Sequence, residues 1–135
     1  MAGKEGPLHL DGTKTAGADY SAATKQYTLV KSTGANFTTQ VTEGGVVYGV
    51  LQDRPNSSQA GAIAVIGSIC RVRKDSTGVV AIVVGDKLQC STSGAAMKSA
   101  ALSDYIFGRS RESMSSGTTG FLSVILTMEG HGSTL

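Results

Sequence analysis

From residue 27 onward the chain alternates between short β-branched or apolar runs and breaks built on Gly, Asp or Pro. Residues 27–31 and 38–43 read as strands, the second weakly alternating polar and apolar. Gly44-Gly45 then turns the chain into an apolar strand over 46–51 that ends before Arg54-Pro55. The run over 62–74 begins apolar on both faces and ends alternating. Its second half sets Arg71 and Arg73 on one face and Cys70 and Val72 on the other. Residues 79–84 fit a buried strand or one helical turn, and their β-branching favours the strand. Gly85-Asp86 makes a tight turn into a strand over 87–91. Residues 95–102 (AAMKSAAL) carry helical propensity but are short and uncapped. Strands over 105–111 and 121–128 complete the set. This pattern predicts an all-β domain, a small β-barrel or sandwich of about eight short strands with at most one short helix.

The first 26 residues are different. They lack period-2 alternation, and beyond Met1 their only large apolar side chains are Leu8, Leu10 and Tyr20. Such a stretch cannot bury enough surface to offset its own ordering entropy. Two readings stay open: a disordered tail, or an extended N-terminal arm that orders on a partner. In the second reading Leu8, His9, Leu10 and Tyr20 anchor the arm while its backbone pairs with an edge strand. The expected organisation is an arm over 1–26, a β domain over 27–129 and a flexible tail over 130–135.

Composition narrows the class. The chain has 135 residues, enough for one domain with a modest core. Eighteen glycines against two prolines favour many tight turns. Trp is absent and aromatics make up 5%, so packing rests on Val, Ile, Leu and Ala. A net charge of +2 gives no argument for nucleic acid or an anionic membrane. No apolar run approaches the length that spans a bilayer, and the N-terminus lacks a signal-peptide core, so cytoplasmic synthesis is expected. Cys70 and Cys90 form no CxxC and read as two buried thiols.

The search for chemistry returns little. His9 and His131 lie in the weakly patterned ends, where neither can be held as a positioned acid or base. No serine sits in GxSxG, no phosphate-binding glycine motif occurs, and metal-ligand spacings are missing. No catalytic residue, cofactor, metal or small-molecule substrate is therefore expected. Arg109 and Arg111 share one face of a strand and Arg71 and Arg73 repeat the arrangement. They form either a solvated face that discourages edge aggregation or a polar rim for acidic groups on another protein.

The order of GVLQDRP (49–55), GAIAVIG (61–67), VVGDKL (83–88), IFGRSRE (106–112) and FLSVIL (121–126) resembles the capsid cement, or head-decoration, proteins of tailed bacteriophages. The match covers residues 46–128. The resemblance implies a non-enzymatic β-barrel-like protein on the outer surface of the mature virion capsid. It further implies a homotrimer that clamps neighbouring major capsid protein subunits, with an arm reaching across the lattice. Carried over by position, it marks Gly49, Pro55, Gly61, Gly67, Gly85, Asp86 and Gly108 as residues that shape the fold; it marks no capsid contacts. Deleting residues 1–26 is then expected to leave a folded domain that no longer binds capsids. A carbohydrate- or receptor-binding β-module is the alternative, disfavoured by the shortage of aromatics, and a cavity enzyme is a third.

Overall fold

The computed structural model of the chain describes residues 6–74, 80–99 and 103–130. In it the run over 62–74 is not one strand. A turn with Gly67 at φ +91° and a Ser68 amide donating to the Val65 carbonyl at 3.1 Å splits it. The two halves enter different sheets.

The first sheet holds β1 (Leu10–Asp11), β2 (Thr15–Ala16), β3 (Leu29–Thr33), β4 (Asn36–Thr39), β5 (Gly49–Leu51) and β6 (Ile63–Ala64), in the order β1-β6-β5-β3-β4-β2. The second holds β7 (Ile69–Lys74), β8 (Lys87–Cys90), β9 (Ala96–Lys98), β10 (Ile106–Ser110) and β11 (Gly120–Gly130), in the order β7-β11-β10-β8-β9. Helical structure among the described residues is one 3₁₀ turn, Ala23–Lys25. The fold is thus nearly all-β and sandwich-like. Neither sheet closes into a barrel.

Strand alternation gives the first sheet two working faces. Leu29, Val50 and Ala64 point inward and share one core with Cys70, Val72, Leu88, Phe107, Leu122 and Val124 of the second sheet. Their chain neighbours Val30, Leu51 and Ile63 point outward with Phe37. That outer face is covered by Ala16 and Tyr20, so the molecule has a second, smaller core.

The second sheet curls until its edge strands β7 and β9 approach each other without forming a ladder. Residues 27–29 enter that gap. The Arg73 amide donates to the Tyr27 carbonyl at 2.9 Å on one side, and the Leu29 amide donates to the Gly94 carbonyl at 2.8 Å on the other. Tyr27 takes φ +65°, an uncommon conformation for an aromatic residue. It is held there by its amide bond to the Leu51 carbonyl, 2.8 Å, and by edge-to-face packing on Phe121, ring centroids 5.4 Å apart.

Several elements differ from the sequence reading. The AAMKSAAL segment supplies strand β9, not a helix, because pairing Ala96 with Cys90 and Lys98 with Leu88 outweighs a weak local propensity; residues 100–102 lie outside the described set. Residues 80–84 form a loop rather than a strand, tied down by an Ile82–Met114 bridge; Val79 is not described. Among the described residues eleven strands, all but β11 short, replace about eight, partly because β1 and β2 come from the segment read as an arm.

Candidate functional site

The N-terminal segment lies along the seam between the sheets. The Ile69 amide donates to the Pro7 carbonyl and the Gly6 amide to the Ile69 carbonyl, both at 2.9 Å. The His9 amide donates to Ser68 Oγ at 2.9 Å, and the His9 carbonyl accepts from the Val65 amide at 2.9 Å. Leu10 then pairs with Ala64 in β1–β6. This arrangement leaves Leu8 and Leu10 in solvent, 39% and 53% exposed. Asp11, the next residue of β1, lines an apolar groove of about 590 Å³ whose walls include Val46, Tyr48, Val65, Ile66, Tyr105 and Met128.

One wall of the groove is locked by a polar cluster. Asp11 Oδ1 accepts from the Thr13 hydroxyl at 2.6 Å and the Thr13 amide at 2.8 Å, while Asp11 Oδ2 accepts from the Tyr48 hydroxyl. The Lys14 ammonium sits 5.0 Å from the Tyr48 ring centroid. Hydrogen bonds from the Thr13 side chain, then from Tyr48, hold the Asp11 carboxyl at about 2, below the usual carboxylate range. The same bond pushes the Tyr48 hydroxyl up. A depressed carboxyl stabilises the fold above its ordinary titration range, and that contribution fades as pH falls through about 2. Tyr48→Phe should therefore raise the Asp11 midpoint; carbon-detected NMR titration of the carboxyl would read it, and an unmoved midpoint would discount the Tyr48 bond.

The structure separates the four residues read as arm anchors. Leu8, His9 and Leu10 sit together on the seam. Tyr20 does not join them, which corrects the sequence reading. It is 2% exposed, packs on Phe37 with ring centroids 5.4 Å apart, and its hydroxyl accepts from the Thr39 amide at 2.7 Å. A side chain filling a core of its own chain is not available to a partner.

The glycines divide into two kinds. Gly67 and Gly85 take positive φ in turns, and Asp86 Oδ2 accepts the Val83 amide at 2.9 Å across the second turn. Gly49 and Gly108 lie inside β5 and β10, and Gly61 faces the Phe37 ring, where a Cβ would come within 2.7 Å. Pro55 is buried, and its carbonyl accepts the Tyr20 amide at 2.9 Å.

Arg71, Arg73, Arg109 and Arg111 lie on the outer face of the second sheet. Arg109 closes a fork on Glu129 at 2.7 and 3.0 Å, which raises its own pKa and lowers that of Glu129. Arg71 lies 5.7 Å from the Tyr27 ring centroid and Arg73 lies 5.4 Å from that of Phe121.

The groove itself was not read from sequence. Its walls come from seven separate stretches, so no spacing marks it. A retrospective signal exists in Ile66, a large apolar residue at the tip of a Gly-bounded turn. Among the described residues, no three His, Cys, Asp or Glu side chains gather as a metal site, and no helix is long and apolar enough to cross a membrane. Cys70 and Cys90 are buried and no disulfide joins them.

No protein-family model matches the chain, and no curated protein matches it. Among solved structures, its fold is similar to that of the N base of the head fibre gp8.5 of bacteriophage phi29. The identity is 16% and the TM-score 0.60, over 87% of this chain and 92% of that one. The likeness is one of fold, and its subject is a head fibre base rather than a cement protein.

Proposed function

We propose that this chain is a structural virion protein of a tailed bacteriophage, bound to the outer surface of the capsid. The observation that supports this reading is the shared fold with a head fibre base across nearly the whole of both chains. The sequence resemblance to head-decoration proteins points to the same place by a separate route. In this reading the protein is not an enzyme, needs no cofactor and does not engage nucleic acid or membrane. Its partner is the major capsid protein.

Leu8, His9 and Leu10, with the groove beside them, form one docking element. Their exposed apolar side chains recover the transfer free energy that solvent now denies them, about 1.5–3 kcal/mol for each large side chain fully buried. Single contacts of that size are weak. A closed trimer placed over a lattice multiplies them, because each further arm binds at high effective concentration. The result is a clamp on neighbouring capsid subunits.

The test is to mix the purified chain with expanded heads assembled without it and to image the particles. Added density on the outer surface, centred on local three-fold positions, is the expected result. Heads that stay bare would sink the reading, and density elsewhere on the surface would sink the trimeric clamp.

A further inference from the structure

The outer face of the second sheet gathers positive charge that the sequence scatters over forty positions. In the β11 ladders Arg73 stands opposite Phe121, Arg71 opposite Ser123 and Arg109 opposite Ile125. Lys87 stands opposite Arg109 on the next strand. Arg111 donates its amide to the Ser123 carbonyl at 2.9 Å and its guanidinium to Ser123 Oγ at 3.2 Å. The carboxylates among them are Glu112 and Glu129. Among the described residues, five cations thus share a face with two carboxylates.

At one end of this face stands an apolar knuckle. Val80, Val83 and Val84 are 54%, 52% and 65% exposed. The knuckle is fixed to the arginines by backbone: the Gly85 amide donates to the Ser110 carbonyl at 2.8 Å, and the Gly85 carbonyl accepts from Arg109 at 3.4 Å. Ile82 and Met114 exchange backbone bonds of 2.9 and 2.8 Å. Between these two segments lies a dimple of about 220 Å³, bounded by Ala81, Val83, Ser113, Met114 and Ser115.

We propose that this face is a second docking surface, and that its occupant is a protein surface carrying carboxylates around an apolar projection. Charge complementarity selects the partner. Guanidinium forks hold carboxylates with two hydrogen bonds, and the packing of Arg71 beside the Tyr27 ring lowers the entropy lost when it engages, while Arg73, whose guanidinium donates to the Ala23 and Gln26 carbonyls at 3.2 and 3.4 Å, contributes charge. Exposed valines beside an arginine rim match the apolar centre and Arg enrichment of protein interfaces. Duplex DNA would engage the cations but leave the three valines in water, so the protein partner is favoured. The inference rests on the capsid-surface reading, and there the partner is a capsid protein.

Full-length wild type, Arg111→Glu and Val84→Asp are compared for binding to heads assembled without the chain. Both substituted side chains are exposed, so each variant should melt with the wild type. Each should bind about tenfold more weakly or worse, equivalent to at least ~1.4 kcal/mol, and wild-type binding should fall with added salt. Wild-type affinity in both variants would overturn this inference while leaving the capsid reading intact. Failure of the wild type to bind heads would overturn both. Retardation of a DNA duplex that is lost in Arg111→Glu, or self-association that is lost in Val84→Asp, would assign the face to another occupant and overturn it as well.

Discussion

Deleting residues 1–26 should abolish the cooperative folding of the first sheet. The deletion removes β1 and β2, the two outer strands of that sheet, together with Ala16 and Tyr20. Val30, Phe37, Leu51 and Ile63, now 0% exposed, would then face water. At about 1.5–3 kcal/mol for each large side chain, that loss rivals the 5–15 kcal/mol that holds a typical domain together. Near-ultraviolet circular dichroism should show the Tyr and Phe environment lost, and thermal melting should be broad. A sharp melt close to that of the full chain would overturn the role of Ala16 and Tyr20 as cover for the second core. Tyr20→Ala gives the graded form of the same result, at about 3–5 kcal/mol for loss of a buried aromatic. Truncation therefore tests folding before it tests binding, contrary to the expectation from sequence. Leu8→Ser and Leu10→Ser are the better probes of head contact.

Gly49→Ala should be the most costly single-methyl addition in the chain. A Cβ at that position would press on the backbone carbonyl of Ala64 and lie 2.5 Å from Ile63 Cγ2. Neither is a flexible chain end, so β5 and β6 must move apart, and both cores feel it. Overpacking of this kind costs about 1–3 kcal/mol, and a main-chain obstacle puts Gly49 at the upper end. Gly108→Ala, with its Cβ 2.5 Å from the Ile125 carbonyl, should behave similarly. Gly12→Ala meets nothing within 4 Å and should stay within about 0.5 kcal/mol of wild type. Chemical denaturation of the three variants compares them directly, and equal midpoints would refute the close-approach argument.

Much of the architecture is legible in the residues. β7, β10 and β11 fall on alternating or apolar runs whose pairing partners supply matching faces. The failures have common physical causes. Ile82 has one bridge and exposed neighbours, because a run of six apolar residues says nothing about whether two elements exist to cover it. Ala96–Lys98 is a strand because β8 offers an edge, a tertiary fact absent from local propensity. Tyr20 was read as reaching outward, since the apolar outer face it covers is assembled from β3, β4, β5 and β6. The arginines were read as two separate pairs, and only the β11 ladder shows that they flank one strand.

The stave at residues 27–29 has a consequence for the order in which the chain acquires its structure. Its amides and carbonyls join residue 51 of one sheet to residues 73 and 94 on the side of the other, closures between parts of the chain distant in sequence. Chains dominated by such distant closures fold slowly, because loop entropy is lost before the contacts return anything. The open edges of the second sheet stay unfinished until residues 27–29 are seated, and those residues have no seat until both sheets exist. Seating residues 27–29 is therefore a step shared by the two halves, and a ribosome must release residues well past 94 before the Leu29–Gly94 bond can form.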